Sequence, residues 1–170
     1  MFKFLVAGVL VVSSFVAVED AADTPVAPVE TWELDTVHSM ALFRVQHVGA
    51  GQFWGRFNDV TGSVDWPRDD SVAPDLDVSI AIESVDTGNE KLDRHLKSPD
   101  FFNGREFETA TFRSTGSERV GDRQWRVRGD MTMLGQTRPV TAELEVTGVR
   151  GNPVQAKAGW EAIFSIKRSE

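Results

Sequence analysis

Residues 75–83 read DLDVSIAIE, and this stretch decides the fold class. Leu76, Val78, Ile80 and Ile82 recur at every second position, with Asp75, Asp77, Ser79 and Glu83 between them. A period of two places the apolar set on one face of an extended strand and the polar set on the other. The same alternation continues in both directions. Upstream, Ala41, Phe43 and Val45 share a face, as do Val60, Gly62, Val64 and Trp66. Downstream come Trp125, Val127, Gly129, Met131 and Met133, then Val140, Ala142, Leu144 and Val146. A last run, Ala156, Ala158, Trp160, Ala162, Phe164 and Ile166, carries the strand reading to about residue 167. Gly- and Asp-rich turns separate the runs at 49–51, 67–70, 121–122, 135 and 151–153. The pattern predicts an all-β chain of about seven or eight antiparallel strands. Long late strands joined by tight turns favour an up-and-down barrel over a sandwich.

One segment breaks the pattern. Asn89–Lys97 reads as a helix, with Thr87 and Glu90 spaced as a capping box and Leu92 and Leu96 on one edge. A helix this short does not hold itself in water. Phe101 and Phe102, just beyond Ser98 and Pro99, are the expected docking groups. The segment is read as a cap over one end of the barrel.

At the N-terminus, Lys3 precedes an uncharged, mostly apolar run from Phe4 to Val18, closed by Glu19 and Asp20. The run is shorter than the roughly 20 residues a bilayer span requires, and it fits the middle of a secretory signal peptide. Residues 1–22 are therefore expected to be a signal peptide, 23–31 a flexible lead-in, and 32–170 the folded domain. Placement is then periplasmic or secreted. The chain has no cysteine, which excludes disulfides, thiolate catalysis and cysteine-ligated metals. Its formal charge of −8 and the lack of a Lys/Arg cluster give no footprint for nucleic acid.

The catalytic inventory is thin. No nucleophile elbow, phosphate loop, dinucleotide fingerprint or zinc-binding HExxH is present. If His38 and His47 share one strand, their odd spacing sends them to opposite faces, and Asp93 and His95 diverge on a helix, so no metal site is expected. Trp66, Trp125, Trp160, Phe43 and Phe164 either pack a solid core or line a cavity for an apolar chain. With Ile80 from a strand and Leu92, Leu96, Phe101 and Phe102 from the cap, they make the candidate apolar lining. His38, His47, His95 and Arg138 are the candidates for a polar mouth. The rival reading has the histidines bonding to loops and Arg138 simply starting a strand.

Several pieces together resemble the YceI-like proteins, bacterial envelope proteins with a lipocalin-like barrel. WELDTVHSMALFRVQH is similar to the family's opening strands, and GRFNDVTGSVDW to its Gly-x-Phe…Gly-x-Val segment. IESVDTGNEKLDRHLKSPDFFNGREFETATFRST is the most specific stretch, with its Ser-Val-x-Thr-Gly turn, Asp-x-His-Leu helix and Asp-Phe-Phe step. GDMTMLGQTRPVTAELEV resembles the family's Arg-Pro-Val hairpin, with Met131 in a leucine position. The resemblance implies a barrel that holds a polyisoprenoid, quinone or similar amphiphile, with no catalytic residues and no cofactor beyond that lipid. It also implies a possible homodimer. A departure is noted at the end: the family's Arg-Ser-Asp-Phe-Gly-like motif and final strand are represented only by Arg168, Ser169 and Glu170. The strand over about 154–167 is therefore expected to leave an open edge. Two rival functions stand beside the lipid carrier. One is an interaction protein with a filled core that pairs through this edge with a membrane-protein partner. The other is an enzyme acting on an isoprenoid or quinone through His38, His47, Asp93 and His95.

Overall fold

The computed structural model describes residues 27–151 and 156–167. The expected signal peptide, the start of the lead-in, residues 152–155 and the terminal Arg168–Glu170 lie outside the described residues. The strands are β1 (Glu30–Glu33), β2 (Ala41–His47), β3 (Gly51–Phe57), β4 (Val60–Trp66), β5 (Asp75–Ala81), β6 (Val85–Asp86), β7 (Thr109–Gly121), β8 (Gln124–Met133), β9 (Gln136–Arg150) and β10 (Lys157–Ile163). A single 3-10 turn, Ile82–Ser84, precedes β6, and the helix α1 spans Glu90–Leu96.

The expected all-β, antiparallel, barrel-type architecture is what these strands build. Seven of them form one curled sheet in the order β1-β4-β5-β7-β8-β9-β10. The other three form a ribbon in the order β2-β3-β6. The meander is therefore interrupted: β2 and β3 pair with each other from Ala41↔Phe57 to His47↔Gly51 rather than joining the sheet beside β1. Register shifts in β7, at Ser114/Gly116 and Arg119/Gly121, and at Gly159/Trp160 in β10 bend the long strands. Gly62 sits at φ +138, and a Cβ there would strike the Asp77 carbonyl, so glycine lets β4 and β5 close up.

The core divides into two clusters. The first holds Val64, Trp66, Leu76, Trp125, Val127, Leu144 and Val146, with Trp32 and Trp160 packed against it. The Trp32 and Trp160 rings meet edge to face at 5.9 Å, and Trp66 meets Trp160 at 5.8 Å. These contacts bring β1 to β10 across the curl. No ladder joins those two strands among the described residues, so side chains hold them together. A polar link adds to this at the rim, where Lys157 Nζ lies 3.7 Å from the Asp35 carboxylate.

Asp70 ties the base of this cluster. Its Oδ1 accepts from Trp66 Nε1 at 3.0 Å and from Trp125 Nε1 at 2.8 Å. Its Oδ2 takes Arg119 at 2.8 Å, and the Arg119 guanidinium lies 4.3 Å over the Trp125 ring. Asp70 itself has φ +57, in the left-handed region that aspartate tolerates better than most residues. The turn after β4 thereby fastens β4, β7 and β8 through a single side chain.

The second cluster holds Phe57, Ile82, Val85, Leu96, Ala110 and Met131. The helix covers it as expected, but its start differs from the predicted capping box. Asn89 is the N-cap, and its side chain accepts from the Lys91 and Leu92 amides at 3.0 and 3.2 Å. Thr87 is instead engaged by Asp93, whose Oδ1 accepts from the Thr87 hydroxyl at 2.6 Å and the Thr87 amide at 2.8 Å. With Asp93 committed, Lys97 pairs with Glu83 at 3.3 Å, tying the helix end to the 3-10 turn. The chain then folds back, with the Phe102 amide donating to the Leu96 carbonyl at 2.9 Å.

Asp70→Ala leaves two buried indole donors without an acceptor. It is expected to lower stability by about 2–4 kcal/mol in urea denaturation. Asp70→Asn keeps an acceptor oxygen and is expected to lose clearly less.

Candidate functional site

The inner face of the curled sheet is apolar along most of its length and packs two clusters. Trp66 and Trp125 are buried in the tryptophan cluster, which the partly buried Trp32 and Trp160 border. Three of the four indole N–H groups there have acceptors, Trp32 donating to the Trp66 carbonyl at 3.0 Å and the other two to Asp70. The Trp160 N–H is buried with no acceptor among the described residues.

The phenylalanine cluster is built from phenylalanine and aliphatic side chains, without polar ties of that kind among the described residues. Around its buried members stand Phe43, Ile80, Leu92, Phe101, Phe102, Phe112, Met133 and Val140, all only partly buried. Phe112 also borders the tryptophan cluster, so it marks the boundary between the two ends. This partly covered band is presented by β5, β7, β8 and β9 of the sheet, by the β2–β3 ribbon and by the helical cap. The rings interlock. Phe57 packs on Phe43 at 5.6 Å and on Phe102 at 5.5 Å. Gly55 makes room for the Phe43 ring, which a Cβ at that position would overlap.

Of the candidate lining, Phe43, Ile80, Leu92, Leu96, Phe101 and Phe102 are thus brought to one cluster. Trp66, Trp125 and Trp160 are brought to the other. Phe164 joins neither. It lies past the end of β10, 40% exposed, because the strand expected to reach residue 167 ends at Ile163. Of two open clefts on the molecule, the one of about 410 Å³ is lined chiefly by polar groups such as Asp65, Asp75, Asp77 and Arg113, and the one of about 180 Å³ mixes Val120, Leu144 and Ile163 with Glu143, Glu145 and Glu161. Neither has the chemistry of a lipid site.

The polar candidates scatter. His38 lies in the turn before β2, not on a strand with His47, and its Nδ1 bonds Asp35 at 2.9 Å. That bond and the Val37 amide hold the Asp35 carboxyl below its ordinary range. His47 ends β2 at the tip of the ribbon. His95 is exposed on the helix and stands edge-on to Phe101 at 4.8 Å. Arg138 is paired with Met131 across β8 and β9, so it shares the inner face at the rim of the phenylalanine cluster. There it donates to Gln136 at 2.8 Å and to the Thr137 carbonyl at 3.1 Å. His95 and Arg138 therefore border the half-covered band, whereas His38 and His47 do not. No group of three or more His, Asp or Glu among the described residues is placed to hold a metal.

Sequence reasoning missed Asp70 and Asp86. Asp86 accepts from the Gly88 amide at 2.9 Å, from Arg56 at 2.9 and 3.2 Å and from Asn58 at 3.2 Å. These bonds hold its carboxyl down at about 2, and the Gly88 amide is the largest cause. Asp86 pins the ribbon to the segment that leads into the helix.

The pattern of an interrupted antiparallel barrel with one helical cap has known counterparts. Residues 32–170 match the model of the YceI-like domain. The chain belongs to the YceI-like family. The protein named YceI from Escherichia coli O157:H7 is 37% identical over 131 residues, covering 76% of this chain and 68% of that one. A crystal structure of a Campylobacter jejuni YceI protein is similar at a TM-score of 0.61 and 27% identity, with 75% of each chain covered. Burkholderia cenocepacia BcnA shares the fold at a TM-score of 0.63 and 21% identity, covering 76% of this chain and 77% of that one.

Within this YceI-like chain the Asp86 bonds give a pH test. A carboxyl depressed in the folded state stabilises fully above its ordinary value of 3.8, and that stabilisation is lost as pH falls through about 2. Asp86→Asn is expected to lower the melting temperature at neutral pH and to flatten the melting-temperature profile across that acid window. An unchanged acid limb in the variant would contradict the assignment.

Proposed function

We propose that this chain binds and carries a long apolar lipid of the isoprenoid type, with the tail laid along the half-covered band beside the phenylalanine cluster. The observation that carries the reading is the set of aliphatic and phenylalanine side chains that the fold leaves only partly buried around this cluster. The tryptophan end is tied internally by the indole bonds to Asp70, whereas Phe43, Ile80, Met133 and Val140 stand here only partly buried. Burying their exposed area under an aliphatic chain is favourable at about 25 cal/mol per Å², so each isoprene unit contributes a few kcal/mol before ordering costs. An apolar wall reads length and shape and little else. The polar end of the cargo lies at the rim, near Arg138 and His95. Membership of the YceI-like family supports the same reading, as does the resemblance of its motifs to lipid-holding barrels. Placement in the periplasm belongs to this proposal, supported by the charged start and apolar run of residues 3–18.

The residues offered for catalysis do not converge. His38 is bonded to Asp35, Asp93 is engaged by Thr87, His47 ends the ribbon, and His95 packs on Phe101. Their dispersal favours binding over turnover.

Native mass spectrometry of the exported protein, followed by organic extraction, tests the proposal. The expected result is an adduct of lipid mass with an isoprene series on fragmentation. Ile80→Trp fills the band with a larger side chain at a cost of about 1–3 kcal/mol in stability. It is expected to reduce the retained lipid at least about tenfold, or ~1.4 kcal/mol in affinity, in a protein that still melts cooperatively. A bare mass in the wild type, with no adduct gained from added polyprenyl lipids or quinones, would overturn the reading.

A further inference from the structure

The β2–β3 ribbon carries a second surface that cargo binding does not use. Its base is anchored, since Ala41, Phe43 and Phe57 pack into the phenylalanine cluster. Its outer half runs free of both clusters and carries exposed apolar side chains among polar ones on both faces. Val45, opposite Phe53, lies on one face, half exposed. Leu42 and Trp54 lie on the other, with Trp54 57% exposed. Val48 forms the tip and is 84% exposed. It is held at φ +45, a left-handed conformation that a β-branched residue rarely adopts. Nothing in the fold of the ribbon calls for a valine in that turn.

Charge singles out the same stretch. The chain holds 26 Asp and Glu residues, yet residues 36–58 contain none. Arg44 and Arg56 are the formally charged groups there. Arg56 is committed to Asp86. Arg44 stacks on Trp54, 5.5 Å from its ring, and has no carboxylate partner among the described residues.

We propose that the ribbon tip docks into the surface of a phospholipid bilayer that carries anionic headgroups. An indole and a guanidinium stacked together suit the headgroup level, where one end is apolar and the other wet. Trp54 lies three steps along from Gly51 at the start of β3, so the tip stands about 10 Å beyond that pair. That distance matches the roughly 5–10 Å depth at which interfacial apolar groups settle. Val48 then reaches the acyl boundary while Arg44 stays with the phosphates. A flat protein partner covers one face of a ribbon, whereas a bilayer surface surrounds a tip on both. No helix among the described residues is long and apolar enough to cross a membrane.

The proposal stands apart from cargo binding: an empty barrel leaves it intact, and its failure leaves retained lipid unchanged. The absence of cysteine in the chain permits a site-specific test. Val48→Cys and, as a control on the outer face of β9, Thr141→Cys are each labelled in the full chain with an environment-sensitive dye. Vesicles of phosphatidylcholine with phosphatidylglycerol are then added. The dye at residue 48 is expected to shift blue and to be quenched by acyl-chain spin labels, and the dye at residue 141 is not. Arg44→Glu in the Val48→Cys background is expected to raise the lipid concentration for half-maximal shift at least about fivefold. An unmoved dye at residue 48 overturns the proposal. So does an equal response at both sites, which would report tethering through another part of the chain. A shift at residue 48 that follows protein concentration without vesicles overturns it in favour of a second copy of the chain.

Discussion

Two indole N–H groups converge on one carboxylate oxygen of Asp70, and the curl of the sheet depends on it. Trp66 and Trp125 sit on β4 and β8, with β5 and β7 between them in the sheet. Such strands come together on the inner face only when the sheet is strongly bent. Asp70 reaches both from the turn after β4, and Arg119 balances its charge from β7. A buried indole donor without an acceptor is costly, so the bent state is the one in which these groups are satisfied. Trp32 and Trp160 then add their rings to the same cluster, and β1 meets β10 without a backbone ladder.

Tying one end through Asp70 leaves the other end to different side chains. The tryptophan cluster consumes the largest side chains of the inner face. The opposite end is left to phenylalanine, isoleucine, leucine and methionine, under a helix too short to cover them fully. The cap is fixed by polar ties rather than by its own length: Asn89 at its start, Thr87 to Asp93, and Lys97 to Glu83. An end tied by polar bonds beside an incompletely covered apolar band is the arrangement that the proposed carriage of a flexible chain would use. The ribbon adds a separate surface, joined to this band through Phe43 and Phe57 and to the cap through Asp86.

The strand faces were legible because alternation reports burial directly. Val60, Val64, Trp66, Leu76, Val127, Met131, Leu144 and Val146 all point inward, as their spacing requires. The helix was legible from its two leucines. Its cap was misassigned because Thr87 and Asn89 are both good capping residues, and only the position of Asp93 decides between them. The ribbon was hidden because period-two alternation in β2 reads the same whichever strand it pairs with. Asp70 was hidden because a turn aspartate looks ordinary until Trp125, 55 residues away, is brought to it. For the candidate lining, aromatic content alone could not separate packed tryptophans from half-covered phenylalanines. That division arises from tertiary contacts, not from residue type. Phe164 was placed by continuing a strand past the point where its pairing with β9 stops.

Methyl-resolved NMR during titration with a long-chain polyprenyl alcohol tests the central claim most directly. The account predicts large perturbations at the methyl groups of Ile80, Leu92, Met133 and Val140, and none of comparable size at Val127, Leu144 and Val146. Perturbation centred on Val127, Leu144 and Val146, or no perturbation at either end, would contradict the division into a tied end and a cargo-binding end.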